Sequence, residues 1–203
     1  TFGPSRSMTR SEAAAIFARL LAEKNGDTIS TAANTKFADI PAHAWYSGYV
    51  KYLSNNGITY GKSKTVFAPN DAITRAEFTT MAVRFFDVYG SGDAEIMEQF
   101  SGFNDVSSGY WAAEYIKYAA LHGWINGYGD GSFHAEREIN RAEVVTIVNR
   151  LLGREADEDY IADNLRKLNT FPDVSRKHWA YYAVMEAANA HTAVLGESES
   201  WSK

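Results

Sequence analysis

The chain repeats itself. One block runs Phe37-Ala-Asp39, Trp45, Gly57-Ile58, Gly61, Phe67 and Ile73-Thr-Arg75-Ala-Glu77. A second runs Phe103-Asn-Asp105, Trp111, Gly123-Trp124, Gly127, Phe133 and Ile139-Asn-Arg141-Ala-Glu143. Trp45 to Trp111 and Arg75 to Arg141 are both intervals of 66 positions. A third front half opens at Phe171-Pro-Asp173 with Trp179, and no Arg-Ala-Glu follows it. Its back half stands at the start of the chain, as Met8-Thr9-Arg10-Ser11-Glu12. Phe2 precedes Arg10 by eight residues, as Phe67 precedes Arg75 and Phe133 precedes Arg141. A fixed period of this length marks a repeat architecture. Three front halves and three back halves, permuted, point to a closed pseudo-threefold body. Its units are 37–90, 103–153, and a third in which 171–203 is completed by 1–24. An open solenoid would need polar capping repeats, and the sequence shows none.

Each half reads as a helix. Ile16, Leu20 and Leu21, then Phe78, Met81, Phe85 and Phe86, then Val144, Ile147, Val148 and Leu151 recur at helical spacing. Trp111, Tyr115, Ile116 and Ala119 form a second kind of stripe, closed by Gly123 as a C-cap. Between the two helices, Gly127-Tyr-Gly-Asp-Gly-Ser-Phe133 is built for a tight reversal. Linkers are expected at 25–36, 91–102 and 153–170, the last with a short extra helix from Tyr160 to Leu168. The fold class is therefore all-α, mainly helical with short loops.

Composition narrows the function. The 203 residues are 45% hydrophobic and 14% aromatic, a globular balance. A net charge of −5 removes the phosphate-binding field on which nucleic-acid binders rely. No apolar run approaches the roughly 18–20 residues of a membrane span. The absence of cysteine excludes disulfides, thiol catalysis and Cys-based zinc sites. The five histidines share no repeat position except His43 and His178, and no His-x-x-x-His, Gly-x-Ser-x-Gly or phosphate loop occurs. Carboxylates recur symmetrically, whereas an active site usually breaks symmetry. The loop 127–131 has one acid, Asp130, too few for a calcium cage. No catalytic residue, metal or cofactor is expected. Opening on Thr1 without a leader, the chain is expected to be a processed chain or part of a larger one.

Thr9-x-x-Glu12, Thr74-x-x-Glu77 and Asn140-x-x-Glu143 are capping boxes. The arginine inside each motif has no capping role, and a cation at a helix N-terminus is mildly unfavourable. Arg10, Arg75 and Arg141 thus read either as anion-binding positions, each beside exposed helix N–H groups, or as salt bridges to a neighbouring unit's acid. Trp45, Trp111 and Trp179 read either as core residues or as flat faces for a sugar ring. Phe37, Phe103 and Phe171 are core anchors. Asp39, Asp105 and Asp173 are expected to hold local turns or caps.

These residues resemble the S-layer homology (SLH) modules of bacterial surface proteins. Tyr110-Trp111-Ala112, Gly123-Trp-Ile-Asn-Gly-Tyr-Gly-Asp-Gly-Ser-Phe133 and Ile139-Asn-Arg-Ala-Glu143 match one copy of the pattern almost throughout, and His178-Trp179-Ala180 matches the third front half. Departures are the missing Tyr-x-Asp-Gly at 61–66, Asn140 for Thr, His191 where Gly57 and Gly123 stand, and the stretch from Gly196 to Trp201. The resemblance implies a three-pronged pseudo-trimer. It implies a non-catalytic module that anchors a larger secreted protein at the bacterial cell surface. The implied ligand is a secondary cell-wall polysaccharide, often pyruvylated, or a modified peptidoglycan, bound in grooves between prongs. It places ligand contacts on Arg10, Arg75 and Arg141, with Trp45, Trp111 and Trp179 beside them. Two rivals stay open: a self-assembling or peptide-binding helical scaffold, and a wall-active hydrolase.

Overall fold

The computed structural model describes residues 1–90, 100–194 and 200–202. Residues 91–99 of the expected 91–102 linker, and 195–199 and Lys203 of the terminal half-unit, lie outside the described residues. Among the described residues the regular structure is seven α-helices, one short 3-10 turn and one two-stranded hairpin, so the chain is all-α in class. Residues Ser7–Ile139 form one compact unit, and Thr1–Arg6 with Asn140–Lys203 form another.

The 7–139 unit holds α1 (Arg10–Asn25), α2 (Ser47–Asn55), α3 (Arg75–Tyr89) and α4 (Ala113–Leu121). α1 packs on α2, α3 packs on α4, and α1 also meets α3. Phe17 sits at the centre, 5.3 Å from the Phe78 ring and 5.0 Å from Phe85. All three rings are fully buried, each worth about 1.5–3 kcal/mol against exposure. The buried stripe of α1 is Ala13, Ala14, Phe17, Ala18 and Leu21, so Ile16 and Leu20 flank it rather than lead it.

All three capping boxes form. Thr9, Thr74 and Asn140 accept from the backbone of Glu12, Glu77 and Glu143, whose carboxylates reach back to the cap N–H. The apolar residues just before them, Met8, Ile73 and Ile139, join in a cycle of three backbone hydrogen bonds. Met8 donates to Ile139 at 3.0 Å, Ile139 to Ile73 at 3.0 Å, and Ile73 to Met8 at 2.9 Å. All three side chains are buried, so water does not compete for these bonds.

The other unit holds α5 (Arg141–Leu151), α6 (Glu158–Asn164) running into the 3-10 turn at Leu165–Lys167, and α7 (Tyr181–Ala188). The helix expected over 160–168 thus starts earlier, at the side-chain cap of Asp157, and tightens at its end. α5 packs on α7, over a core of Ala142, Ile161, Val184, Met185 and Trp201. Strands β1 (Thr192–Val194) and β2 (Ser200–Ser202) pair antiparallel. This hairpin was not foreseen. It replaces the glycine turn of the other copies: His191, at the glycine position, stacks on Trp201 with ring centroids 3.9 Å apart.

Candidate functional site

Three side chains of the repeat form one recurring clasp. Phe67 donates its N–H to Asp39 at 2.9 Å, and Phe133 donates its N–H to Asp105 at 2.7 Å. In the unit that contains the chain start, Phe2 donates to Asp173 at 2.9 Å. The carbonyl of each of these phenylalanines accepts an arginine Nε: Arg10 on Phe67 at 2.7 Å, Arg75 on Phe133 at 2.9 Å, and Arg141 on Phe2 at 2.8 Å. Each guanidinium also lies over the ring of the same phenylalanine, at 5.0, 4.5 and 4.7 Å. The aspartates were expected to hold local turns; they reach 28 residues along the chain, and further still for Asp173. Burial raises the Asp105 carboxyl, but the N–H donors of Phe133 and His134 outweigh it and hold the group below its ordinary value. Asp173 is lowered by the N–H donors of Phe2 and Gly3.

The arginines are thus more deeply engaged than their place in the motif suggests. Arg10 and Arg75 are each 4% exposed, and Arg141 is half-buried. Arg10 also pairs with Glu77 at 2.9 Å, which realises the salt-bridge alternative. Arg75 adds a bond to the Asn126 carbonyl at 3.2 Å. The helix N–H groups beside them, expected to be exposed, are instead covered by backbone carbonyls. Those of Arg10 and Ser11 bond to Asp71 and Pro69, those of Arg75 and Ala76 to Arg137 and Ala135, and those of Arg141 and Ala142 to Arg6 and Pro4.

The tryptophans divide cleanly. Trp45, Trp111 and Trp179, each two residues before a helix, are 54%, 55% and 64% exposed, whereas Trp124 and Trp201 are buried. The core reading therefore fails for the three repeat positions. Trp45 lies edge-on to Tyr46 and Tyr49, and Trp179 stacks on His178. Beside Trp111, the hydroxyl of Tyr110 donates to Glu136; burial first, and that carboxylate second, push its pKa up.

Within the 7–139 unit, Trp111 and Arg10 line one groove of about 90 Å³, together with Tyr60, Glu77, Thr80 and Arg84. Of the six expected site residues, those two come together in it; Trp45, Arg75, Arg141 and Trp179 do not line it. Arg84 had no place in the sequence reading. It donates Nε and Nη2 to the Tyr115 hydroxyl at 3.2 and 3.0 Å and lies 4.7 Å over the Tyr60 ring. Arg19 does the same with Tyr49, at 3.2 and 3.1 Å. The signal was present: Arg19, Arg84 and Arg150 each follow a motif arginine by nine residues. Among the described residues no cluster of three His, Asp or Glu could hold a metal ion, and no helix is long and apolar enough to cross a membrane.

The profile of the S-layer homology domain matches residues 36–79 and 102–145. Cell surface glycoprotein 1 of Acetivibrio thermocellus is 32% identical over 98% of this chain. The Cellulosome-anchoring protein of the same organism is 30% identical over 97%, and the Surface-layer 125 kDa protein of Lysinibacillus sphaericus 32% identical over 74%. The chain spans 8%, 42% and 12% of these relatives' own lengths.

Proposed function

The chain belongs to the S-layer homology family of the bacterial cell surface, and from that premise we propose that it holds a larger surface protein to the cell wall by binding an acidic secondary wall polysaccharide. It binds and does not catalyse. The observation that carries this reading is the exposure of Trp45, Trp111 and Trp179 at one repeat position, while the two tryptophans outside it are buried. A solvent-facing indole loses apolar surface to water unless something covers it, and a sugar ring with its axial C–H bonds is a fitting cover. The groove under Trp111 carries one net positive charge, which suits a polymer carrying carboxylates such as pyruvyl groups. In this reading Arg10 lines the groove, and Arg75 and Arg141 hold the same clasped place in their own copies. The repeat units are 37–90, 103–153, and 171–203 with 1–24.

The test is sedimentation of the purified chain with bacterial cell walls, before and after hydrofluoric acid removes the non-peptidoglycan polymers. The chain is expected to pellet with native walls and to stay in solution with stripped ones. Retention on stripped walls would move the ligand to peptidoglycan. No binding to either would overturn the reading. One observation favours the rival scaffold: Arg10 and Arg75 are buried in intramolecular bonds. That rival expects self-association in sedimentation equilibrium and no pelleting with walls.

A further inference from the structure

The two arginines in the groove beside Trp111 are placed for different work. Arg10 is buried, with Nε on a carbonyl and Nη1 on Glu77, so its charge is already answered inside the protein. Arg84 is not answered. Two of its donors converge on one neutral hydroxyl, that of Tyr115, and among the described residues no carboxylate pairs with it. A guanidinium carries five donors in a planar fork, so an edge of Arg84 is left for something else. The rings of Tyr60 and Tyr115, at 4.7 and 4.9 Å, hold that fork flat and so lower the entropy lost on binding.

A second observation lies one turn away. Thr80, four residues before Arg84 and so on the same helix face, lines the groove at 3% exposure, and its hydroxyl has no hydrogen-bond partner. A buried hydroxyl without a partner is an open position in the hydrogen-bond network. Charge agrees: Arg10 and Glu77 cancel, which leaves the groove a single positive charge, on Arg84.

We propose that Arg84 and Thr80 form a carboxylate-recognising subsite at the floor of this groove, for an acidic sugar whose ring packs against Trp111 and Tyr60 at the rim. The subsite rests on the wall-binding reading and sharpens it, by moving the anion contact from the motif arginine to the one nine residues later.

The test uses the whole chain with three wall preparations: native, hydrofluoric-acid-stripped, and native walls whose carboxyl groups have been reduced to alcohols. Arg84→Gln is expected to lose roughly tenfold or more in affinity for native walls and to flatten its salt dependence. Arg84→Lys should recover part of this, since it keeps the charge without the fork. Thr80→Val, which keeps the shape, should lose a smaller factor. On carboxyl-reduced walls the wild type should fall to the level of Arg84→Gln. Loss of binding on stripping assigns the carboxylate to the wall polymer, and retention assigns it to peptidoglycan. Circular dichroism checks folding; if Arg84→Gln unfolds, Arg84→Lys and Thr80→Val decide. Wild-type affinity and salt dependence in the folded variants overturn the subsite while wall binding stands. A wild type that binds carboxyl-reduced walls as well as native ones overturns it too. A wild type that binds no wall at all removes the anchoring reading, and the subsite with it.

Discussion

Two turns in the 7–139 unit, 61–67 and 127–133, share only their first and last residues, glycine and phenylalanine. They nevertheless close alike. Lys62 donates to the Val66 carbonyl and Tyr128 to that of Ser132, both at 2.8 Å. Each phenylalanine N–H goes to a distant aspartate and each phenylalanine carbonyl to a distant arginine. The interiors differ in chemistry. Ser63 caps the Val66 N–H in the first turn, whereas Asp130 takes the N–H and hydroxyl of Ser132 in the second. The residue after phenylalanine, Ala68 in one and His134 in the other, has φ of 57° and 55°. The counterpart in the chain-start copy is Gly3, at 71°. The lesson is that this turn is specified from outside, by Asp and Arg on other segments, and that its interior can vary.

The largest expected effect strikes both turns. A Cβ on Gly61 would lie 2.4 Å from Phe37 and 2.6 Å from the Val66 carbonyl; on Gly127 it would lie 2.4 Å from Phe103 and 2.6 Å from that of Ser132. Gly61→Ala and Gly127→Ala should each cost about 3 kcal/mol in urea titrations, the upper range for overpacking. Gly61→Ala should cost somewhat more, because its φ of +81° adds strain. If either variant melts like the wild type, the two turns are not equivalent.

Removing the outside anchor comes next. Asp39→Ala and Asp105→Ala should each cost about 1–2 kcal/mol, the value of charge-assisted bonds discounted for partial exposure. For Asp105 the pH dependence has a definite sign. Its folded pKa lies below the ordinary 3.8, so its contribution is complete above that pH and is lost as pH falls through the depressed value. The gap in melting temperature between wild type and Asp105→Ala should therefore be constant near neutrality and close below about pH 4. A gap that widens in acid would show that the carboxylate is not what holds Phe133.

The smallest effect runs the other way. Ala68→Gly should be neutral or stabilise by up to about 1 kcal/mol, because relief of a left-handed alanine competes with the added freedom of the unfolded chain. Chemical denaturation measures it. A clear loss of stability would mean that packing of the Ala68 methyl outweighs its backbone strain.

What the sequence disclosed follows the same division. Helices, caps and the repeat register were legible because they depend on neighbours: Thr74 and Glu77 are one turn apart and announce each other. The exposure of Trp45, Trp111 and Trp179 was open between two readings, because helical spacing alone does not say which side faces solvent. The burial of Arg10 was illegible, since its partners, the Phe67 carbonyl and Glu77, lie 57 and 67 positions away. The apparent cluster of free N–H groups at Arg10 dissolved for the same reason, because Asp71 and Pro69 arrive from another segment to cover it. Arg84 was legible and overlooked: it recurs with Arg19, and each meets a tyrosine about 30 residues on, Tyr115 and Tyr49. The hairpin of 192–194 with 200–202 occurs once, so no repeat could reveal it.

The cycle through Met8, Ile73 and Ile139 also sets a timetable. A chain leaves the ribosome with its N-terminus first, so the Met8 amide waits for Ile139 to be synthesised, and Phe2 waits for Asp173. Contacts this far apart close late, because loop entropy must be overcome before they form. Early segments can form helices and close the Arg10 clasp on Phe67 while they wait, but the three-membered cycle stays open. Until residues 139 and 173 have been made, the first residues of the chain therefore stand without the partners that finally hold them.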